Sequence, residues 1–365
     1  MRVCKSPALG GKKYVCQKCK HAHFVYFGCG NSRCSICQSA KRVQWINKLH
    51  GELLNVPYVH LITTMPHQLN SLSRAYPYIM YNILFRTTRN TVFELSNKPD
   101  NLAAKPGLIS ILHTFGSDMK YHVHIHSLMT FGGIDAEGQW QYPKRKKRLC
   151  PHVDFRNTFR KNFIALVYKY QATGQLILED RHIASIEELK VRKWSFFVTK
   201  PTMSTDSIEL YPPAGRAGLA RYINRIAVTN SRLTYLKETK EVRLVYNDYN
   251  NQMEGKPAPK KTKVIDPLLF IHQYMMHILP PYFQKSRKYG IHASACKKKY
   301  SQAIESKLRS NARTIRTVME IITELLKVPT LQCVKCKHDQ FDIELVAPDK
   351  TYINTYLTIP RNRAP

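Results

Sequence analysis

From His122 to His126, imidazole and aliphatic side chains alternate strictly: His122-Val123-His124-Ile125-His126. Successive side chains of a strand point to opposite faces. His122, His124 and His126 therefore share one face, and Val123 and Ile125 enter the core on the other. Neighbouring imidazoles on a rigid strand can hold one divalent ion between them. A surface strand and a hydrolase with histidine-bound metal remain open on pattern alone. Cysteines offer a second kind of site. Cys16-x2-Cys19 and Cys34-x2-Cys37 are paired knuckles, fourteen residues apart, and two such pairs complete the tetrahedral thiolate shell of structural zinc. Cys29 lies between them as a substitute for one ligand, with His21 and His23 nearby. A four-thiolate shell has no open position, so architecture or DNA contact is expected of it rather than chemistry. Cys333-x2-Cys336 is half a site, completed by His338 or Cys296, or else two free thiols.

A third constellation surrounds Tyr222. Leu219, Ile223 and Ile226 recur at helical spacing, and Tyr222 sits at the edge of their stripe. Arg221 and Arg225 are neighbours four apart and form a basic ridge beside it. Their planar guanidinium forks suit phosphate oxygens. With 21 tyrosines in the chain, packing is the ordinary role of any one, and composition does not make Tyr222 catalytic.

The elements that must position these groups are legible in outline. Val56–Thr64 reads as a strand and 71–96 as mixed apolar and basic positions at helical spacing. Leu108–Thr114 and Tyr121–Thr130 read as an antiparallel hairpin across Phe115-Gly116-Ser117-Asp118, with Gly132-Gly133 closing it. Asp154–Gln171 reads as helix, Trp194–Thr199 as strand, and Leu233–Tyr235 with Glu241–Tyr246 as a closing strand pair. Residues 248–263 read as a hairpin tip or linker, and helices dominate beyond Asp266.

The chain has 365 residues, with 57 Lys and Arg against 25 Asp and Glu, a net charge of +32. Such an excess concentrates polyanions, of which nucleic acid is the commonest in a cell. Hydrophobic residues at 43% exclude a largely disordered basic tail. No apolar run is long enough to span a membrane, and the start lacks the apolar stretch of a secretory signal. A cytoplasmic, nucleoid-associated location with reduced thiols is therefore expected.

Four segments in order carry a resemblance. They are Cys16–Gln38; His122–Gly133; Leu219–Leu233, with Arg221-Tyr222-Ile-Asn224-Arg225 inside it; and Phe270–Gly290, with Met276-His-Ile-Leu-Pro-Pro and Arg287-Lys-Tyr-Gly. Together they resemble the rolling-circle insertion-sequence transposases of the HUH endonuclease superfamily. The resemblance implies His124 and His126 as ligands of a catalytic Mg2+ or Mn2+, His122 as their neighbour and Tyr222 as nucleophile. Asn224 and His113 are candidates for a third ligand. Where two-tyrosine relatives carry another tyrosine four positions earlier, this chain has Gly218, so it looks like the single-tyrosine kind. The implied reaction is single-stranded DNA cleavage at element ends through a 5′-phosphotyrosine, with Arg221 and Arg225 on flanking phosphates. The implied fold is α+β, an antiparallel sheet with the histidines on a central strand. The expected organisation is a zinc-binding DNA-contact module over 1–50, an HUH-like catalytic domain over 51–247 and a basic, mostly helical region over 248–365. No nucleotide cofactor is implied, since there is no P-loop pattern. The competing readings are a replication initiator or relaxase, a non-catalytic zinc-containing nucleic-acid-binding protein, and a nuclease that uses water.

Overall fold

The computed structural model describes residues 4–31, 34, 36–38, 44–45, 48–49, 52–201, 227–228, 230–253, 256–299 and 332–351. The chain divides into two compact units, Met1–Gly51 with Thr314–Pro365, and Glu52–Arg313.

In the first unit, β1 (Gly11–Cys16) returns as β2 (Ala22–Tyr26). The last described strand of the chain, β12 (Phe341–Val346), pairs antiparallel with the other edge of β1, from Gly11↔Val346 to Cys16↔Phe341. Most side chains of this sheet are exposed or half-buried, so apolar burial contributes little to it.

The second unit is built on β3 (Tyr58–Thr64), β4 (Lys105–Phe115), β5 (Tyr121–Ile134), β6 (Trp140–Gln141), β7 (Phe196–Val198) and β11 (Ser286–Gly290). These form an antiparallel sheet in the order β11-β4-β5-β3-β7, with β6 on the end of β5. The β4–β5 hairpin expected from the sequence is the sheet's centre. Its turn closes where the Gly116 N–H donates to the Lys120 carbonyl at 2.9 Å. Gly132 and Gly133 do not end β5, which continues one residue further to Ile134 and accepts β6. A Cβ on Gly133 would lie 2.6 Å from the Lys105 carbonyl oxygen, so the glycine permits this close approach.

One face of the sheet presents Leu61, Leu108, Leu112, Val123 and Ile125 to the main core. Helices cover it. The short α1 (Asn70–Ala75) leads into α2 (Pro77–Ser96), whose first-turn proline needs no intrahelical N–H partner. In α3 (His152–Ala172), Phe155, Phe159, Phe163 and Val167 recur every four residues, and all four are buried. Beyond α4 (Asp180–Val191) and β7, a second antiparallel sheet orders β10 (Lys260–Ile265), β9 (Glu241–Asn247) and β8 (Leu233–Leu236). It has its own small core, in which Val228, Leu244 and Ile265 enclose Met119 from the β4–β5 turn. Then α5 (Pro267–Met275) starts at Asp266, whose carboxylate accepts from the N–H groups of Leu268 and Leu269 at 2.8 and 3.0 Å. The described residues beyond 248 thus hold strands as well as α5 and α6 (Ser294–Lys299). The architecture is α+β with antiparallel sheets, as expected. No helix among the described residues is long and apolar enough to cross a membrane.

Candidate active site

The sheet's other face gathers imidazoles from three adjacent strands. His124 and His126 stand two apart on β5, and register places His113 of β4 directly opposite His124. On β3, Ile62 lies opposite His126, so His60 is its diagonal neighbour. All four rings are buried. His122 is exposed at the start of the strand, with its ring centroid 4.9 Å from that of His124.

A hydrogen-bond partner assigns the tautomer of His124. Nδ1 of His124 lies 2.8 Å from the His122 carbonyl oxygen, which can only accept. The proton is therefore on Nδ1, and the Nε2 lone pair is free to ligate. Nε2 of His124 is 3.1 Å from Nε2 of His126. Nδ1 of His126 lies 2.8 Å from Nε2 of His60. A proton on Nδ1 of His126, donated to His60, would leave the Nε2 lone pair of His126 free to ligate. A ligating histidine is commonly fixed in this way by a partner on its other nitrogen. His113 completes the group, its ring centroid 4.6 Å from that of His126, stacked on Phe115 at 5.1 Å.

The ligand atoms of His113, His124 and His126 all lie within 4.8 Å of one another. Burial holds His60 down at a pKa of about 4. Burial, and then the neighbouring His122 charge, hold His124 down at about 3. Neutral rings with converging lone pairs are what a divalent ion requires. The residues therefore fit the metal that the sequence implies, and among the described residues His113 is brought beside His124 and His126. Asn224, Tyr222, Arg221 and Arg225 lie outside the described residues.

The histidines open into a cleft of about 480 Å³, lined further by Phe115, Ser117, Phe197, Arg232 and Tyr249. Arg232 fastens the cleft wall. It donates to the Val245 carbonyl at 2.8 Å, to the Ala227 carbonyl at 3.4 Å and to the Ser117 carbonyl. The Ser117 hydroxyl in turn donates to the Asn247 carbonyl at 2.5 Å. This ties the turn after β4 to β9. His60 carried no sequence signal, because it is a lone polar residue among apolar neighbours, and strand register reveals it. Arg232 stands in the polar run Asn230-Ser231-Arg232, and its bonds to three backbone carbonyls reveal it.

The cysteines regroup. Cys16 and Cys19 do not share a site with Cys34 and Cys37. Instead Cys34 and Cys37 cluster with Cys4 and Cys29, while Cys16 and Cys19 cluster with Cys333 and Cys336. The cause is local pairing. Lys5 donates to the Phe27 carbonyl at 3.2 Å, and the Cys29 N–H points at the Cys4 sulfur at 3.5 Å, which draws the chain start to that loop. Sulfur separations of 3.5 Å for Cys4–Cys37 and 3.9 Å for Cys29–Cys37 bracket the edge of about 3.8 Å that a zinc tetrathiolate requires. Cys29 thus stands beside the pair, and Cys4, which no spacing suggested, completes a group of four that could hold a metal ion.

Comparison with known proteins decides the family. Residues 107–299, more than half the chain, match the family model described as "Putative transposase". This chain belongs to that family. Residues 1–65 match the "Transposase zinc-binding domain" of the IS91 type, a span that contains the Cys4–Cys29–Cys34–Cys37 cluster whole and also Cys16 and Cys19, and the match with the cysteine clusters supports structural zinc in this chain. The transposase is 26% identical over 299 residues to "Putative transposase y4qJ" of Sinorhizobium fredii (strain NBRC 101917 / NGR234), covering 80% of this chain and 72% of that protein. It is 25% identical over 315 residues to "Transposase for insertion sequence element IS801" of Pseudomonas savastanoi pv. phaseolicola, covering 80% of this chain and 69% of that one. No solved structure matches it.

Proposed function

We propose that this transposase cleaves and rejoins single-stranded DNA at the ends of its element through a covalent bond to Tyr222. The observation that carries this reading is the convergence of His113, His124 and His126 on one buried face that opens into a cleft. The Tyr222 oxygen attacks a phosphodiester, the bond from phosphorus to the 3′ oxygen breaks, and the leaving oxygen takes up a proton as a 3′-hydroxyl. The 5′-phosphotyrosine keeps the bond energy, so a second 3′-hydroxyl can reverse the step and join strands. A free tyrosine hydroxyl has a pKa of about 10 and is a weak nucleophile at neutral pH. Bound at the three histidines, Mg2+ or Mn2+ would supply stabilisation of the charge that develops on the scissile phosphate. The all-imidazole donor set favours Mn2+ over Mg2+, which prefers oxygen ligands. His60 orients His126, and Arg232 holds the cleft wall. Ala227, five residues after Tyr222 in the chain, lines the same cleft. Arg221 and Arg225 act on flanking phosphates, one ridge of the +32 excess. Single tyrosine chemistry follows from Gly218 standing where a second tyrosine would be.

The test is a denaturing gel of labelled single-stranded DNA from the element's ends with the protein and Mn2+ or Mg2+. A protein–DNA adduct that disappears in Tyr222→Phe and in His124→Ala is expected. Cleavage without an adduct, surviving Tyr222→Phe, would mean a nuclease that uses water. Binding with no cleavage at either end would favour a DNA-binding protein without chemistry.

A further inference from the structure

Cys16, Cys19, Cys333 and Cys336 take no part in the proposed cleavage, yet their sulfurs lie within 4.8 Å of one another. We infer that this transposase holds a second structural zinc ion, ligated by Cys16 and Cys19 near the start of the chain and by Cys333 and Cys336 near its end. The Cys16–Cys336 and Cys19–Cys333 sulfur separations are both 3.5 Å, too long for a disulfide bond of about 2.05 Å and near the zinc tetrathiolate edge of about 3.8 Å. Each cysteine ligates as a thiolate and releases its proton to water, so no oxidant is needed.

The two loops are conformational duplicates. The Cys16 N–H donates to the His21 carbonyl at 2.9 Å, and the Lys20 N–H to the Cys16 carbonyl at 2.9 Å. The Cys333 N–H donates to the His338 carbonyl at 2.7 Å, and the Lys337 N–H to the Cys333 carbonyl at 2.8 Å. Lys20 and Lys337 take the same left-handed backbone, at φ 56° and 60°. Two sequence-distant segments, Cys16-Gln-Lys-Cys-Lys-His21 and Cys333-Val-Lys-Cys-Lys-His338, differ only at Gln17 and Val334 and adopt one turn, and each turn aims two sulfurs at a common point. Here His338 contributes a carbonyl, and Cys296 belongs to neither cysteine cluster.

The sheet gives this ion work to do. β12 carries exposed Ile343 and Leu345, and Lys13–Glu344 is an exposed ion pair of little weight. Backbone pairing with β1, the Gln17–Asp342 hydrogen bond at 2.8 Å, the Tyr14–Phe341 ring contact and the shared cluster join the C-terminal strand to the N-terminal module. A small sheet with so little buried apolar surface ordinarily needs a metal or other staple. The matched zinc-binding domain, 1–65, ends long before Cys333 and so holds only half of this site. The inference does not depend on the tyrosine chemistry, because its readout is metal content.

The full chain, purified under reducing conditions and measured by native mass spectrometry with elemental analysis, is expected to carry two zinc ions. Cys333→Ser with Cys336→Ser is expected to carry one, and Cys29→Ser with Cys34→Ser also one. A single zinc in the parent protein, two zincs retained without Cys333 and Cys336, or iron in place of the second zinc would overturn the assignment. Alkylation of the parent protein during chelation covers the case in which a variant fails to fold. Cys333 and Cys336 are expected to become reactive in step with Cys16 and Cys19. Labelling of Cys333 and Cys336 at the rate of free thiols while Cys16 and Cys19 stay protected would overturn it equally.

Discussion

His60 is no proposed ligand, yet its Nε2 lies 2.8 Å from Nδ1 of His126 and so holds the orientation of that ring. Removing a partner of this kind typically weakens metal binding by about 10–100-fold. His60→Ala is therefore expected to weaken Mn2+ binding by that factor in calorimetric titration, and His113→Ala, which deletes a ligand, by more. An unchanged affinity for His113→Ala would remove it from the centre. The same rings make the fold sensitive to acid. His60 and His124 titrate near pKa values of about 4 and 3 in the folded chain. Unfolded histidine titrates near 6.5. Below pH 6.5 the unfolded chain therefore takes up protons that the fold refuses, and stability present above pH 6.5 is lost as pH falls. The two groups together account for about 2–3 kcal/mol between pH 7.5 and 5.5. Thermal melts without added divalent ion are expected to show that decline, and His60→Phe should lessen it. Of these residues only His124 and His126 were plain in the sequence, because a period of two on one strand is a local signal. His113 and His60 each occur once on their strands and meet the centre only through register. Cys4 was equally silent, since its partners are fixed by a loop closing on the chain start.

At the scale of elements, sequence legibility follows the range of the interaction. The β4–β5 hairpin and α3 were visible because a short turn and a four-residue phenylalanine repeat are both local. The sheet order was not, because β11 reaches β4 from more than 170 residues away and β3 lies on the far side of β5. Residues 248–263 read as a tip or linker because of their polarity, yet Lys260–Ile265 pairs with β9. That strand is solvated on one face, so its lysines are compatible with it. One residue discloses why β11 docks where it does. Gly290 sits at φ 61°, and a Cβ there would run into the Pro106 carbonyl oxygen. Gly290→Ala adds left-handed strain of about 1–2 kcal/mol to that clash and should displace β11 from β4. Gly138 also has positive φ, at 81°, but nothing stands within 4 Å of its Cβ position. Gly138→Ala is thus a control for strain alone. Thermal unfolding should fall clearly further for Gly290→Ala than for Gly138→Ala, and equal shifts would show that the close approach to Pro106 is unimportant.

Over the whole molecule, charge was the most direct sequence signal and division into units the least. Net charge is a sum that needs no fold, whereas assignment of the C-terminal strand to the N-terminal module depends on contacts spanning more than 300 residues. A +32 chain that binds single-stranded DNA must release counterions from it. For single strands the logarithm of affinity falls with the logarithm of salt by about 0.7 per phosphate neutralised. A footprint of about six phosphates then loses roughly 300-fold between 50 and 200 mM salt. This long-range term would exist for any basic protein, so the slope alone does not distinguish a charged surface from a built phosphate ridge. Arg221 and Arg225 make the distinction. If each holds one phosphate, Arg221→Ala with Arg225→Ala should lower the slope by about 1.4, while two lysine-to-alanine changes at exposed Lys237 and Lys240 should leave it nearly unchanged. Fluorescence anisotropy of a labelled single strand across a salt series reads both. Equal losses from the two pairs would mean that the arginine ridge contributes charge but no defined contact, and the phosphates flanking the scissile bond would then need another holder.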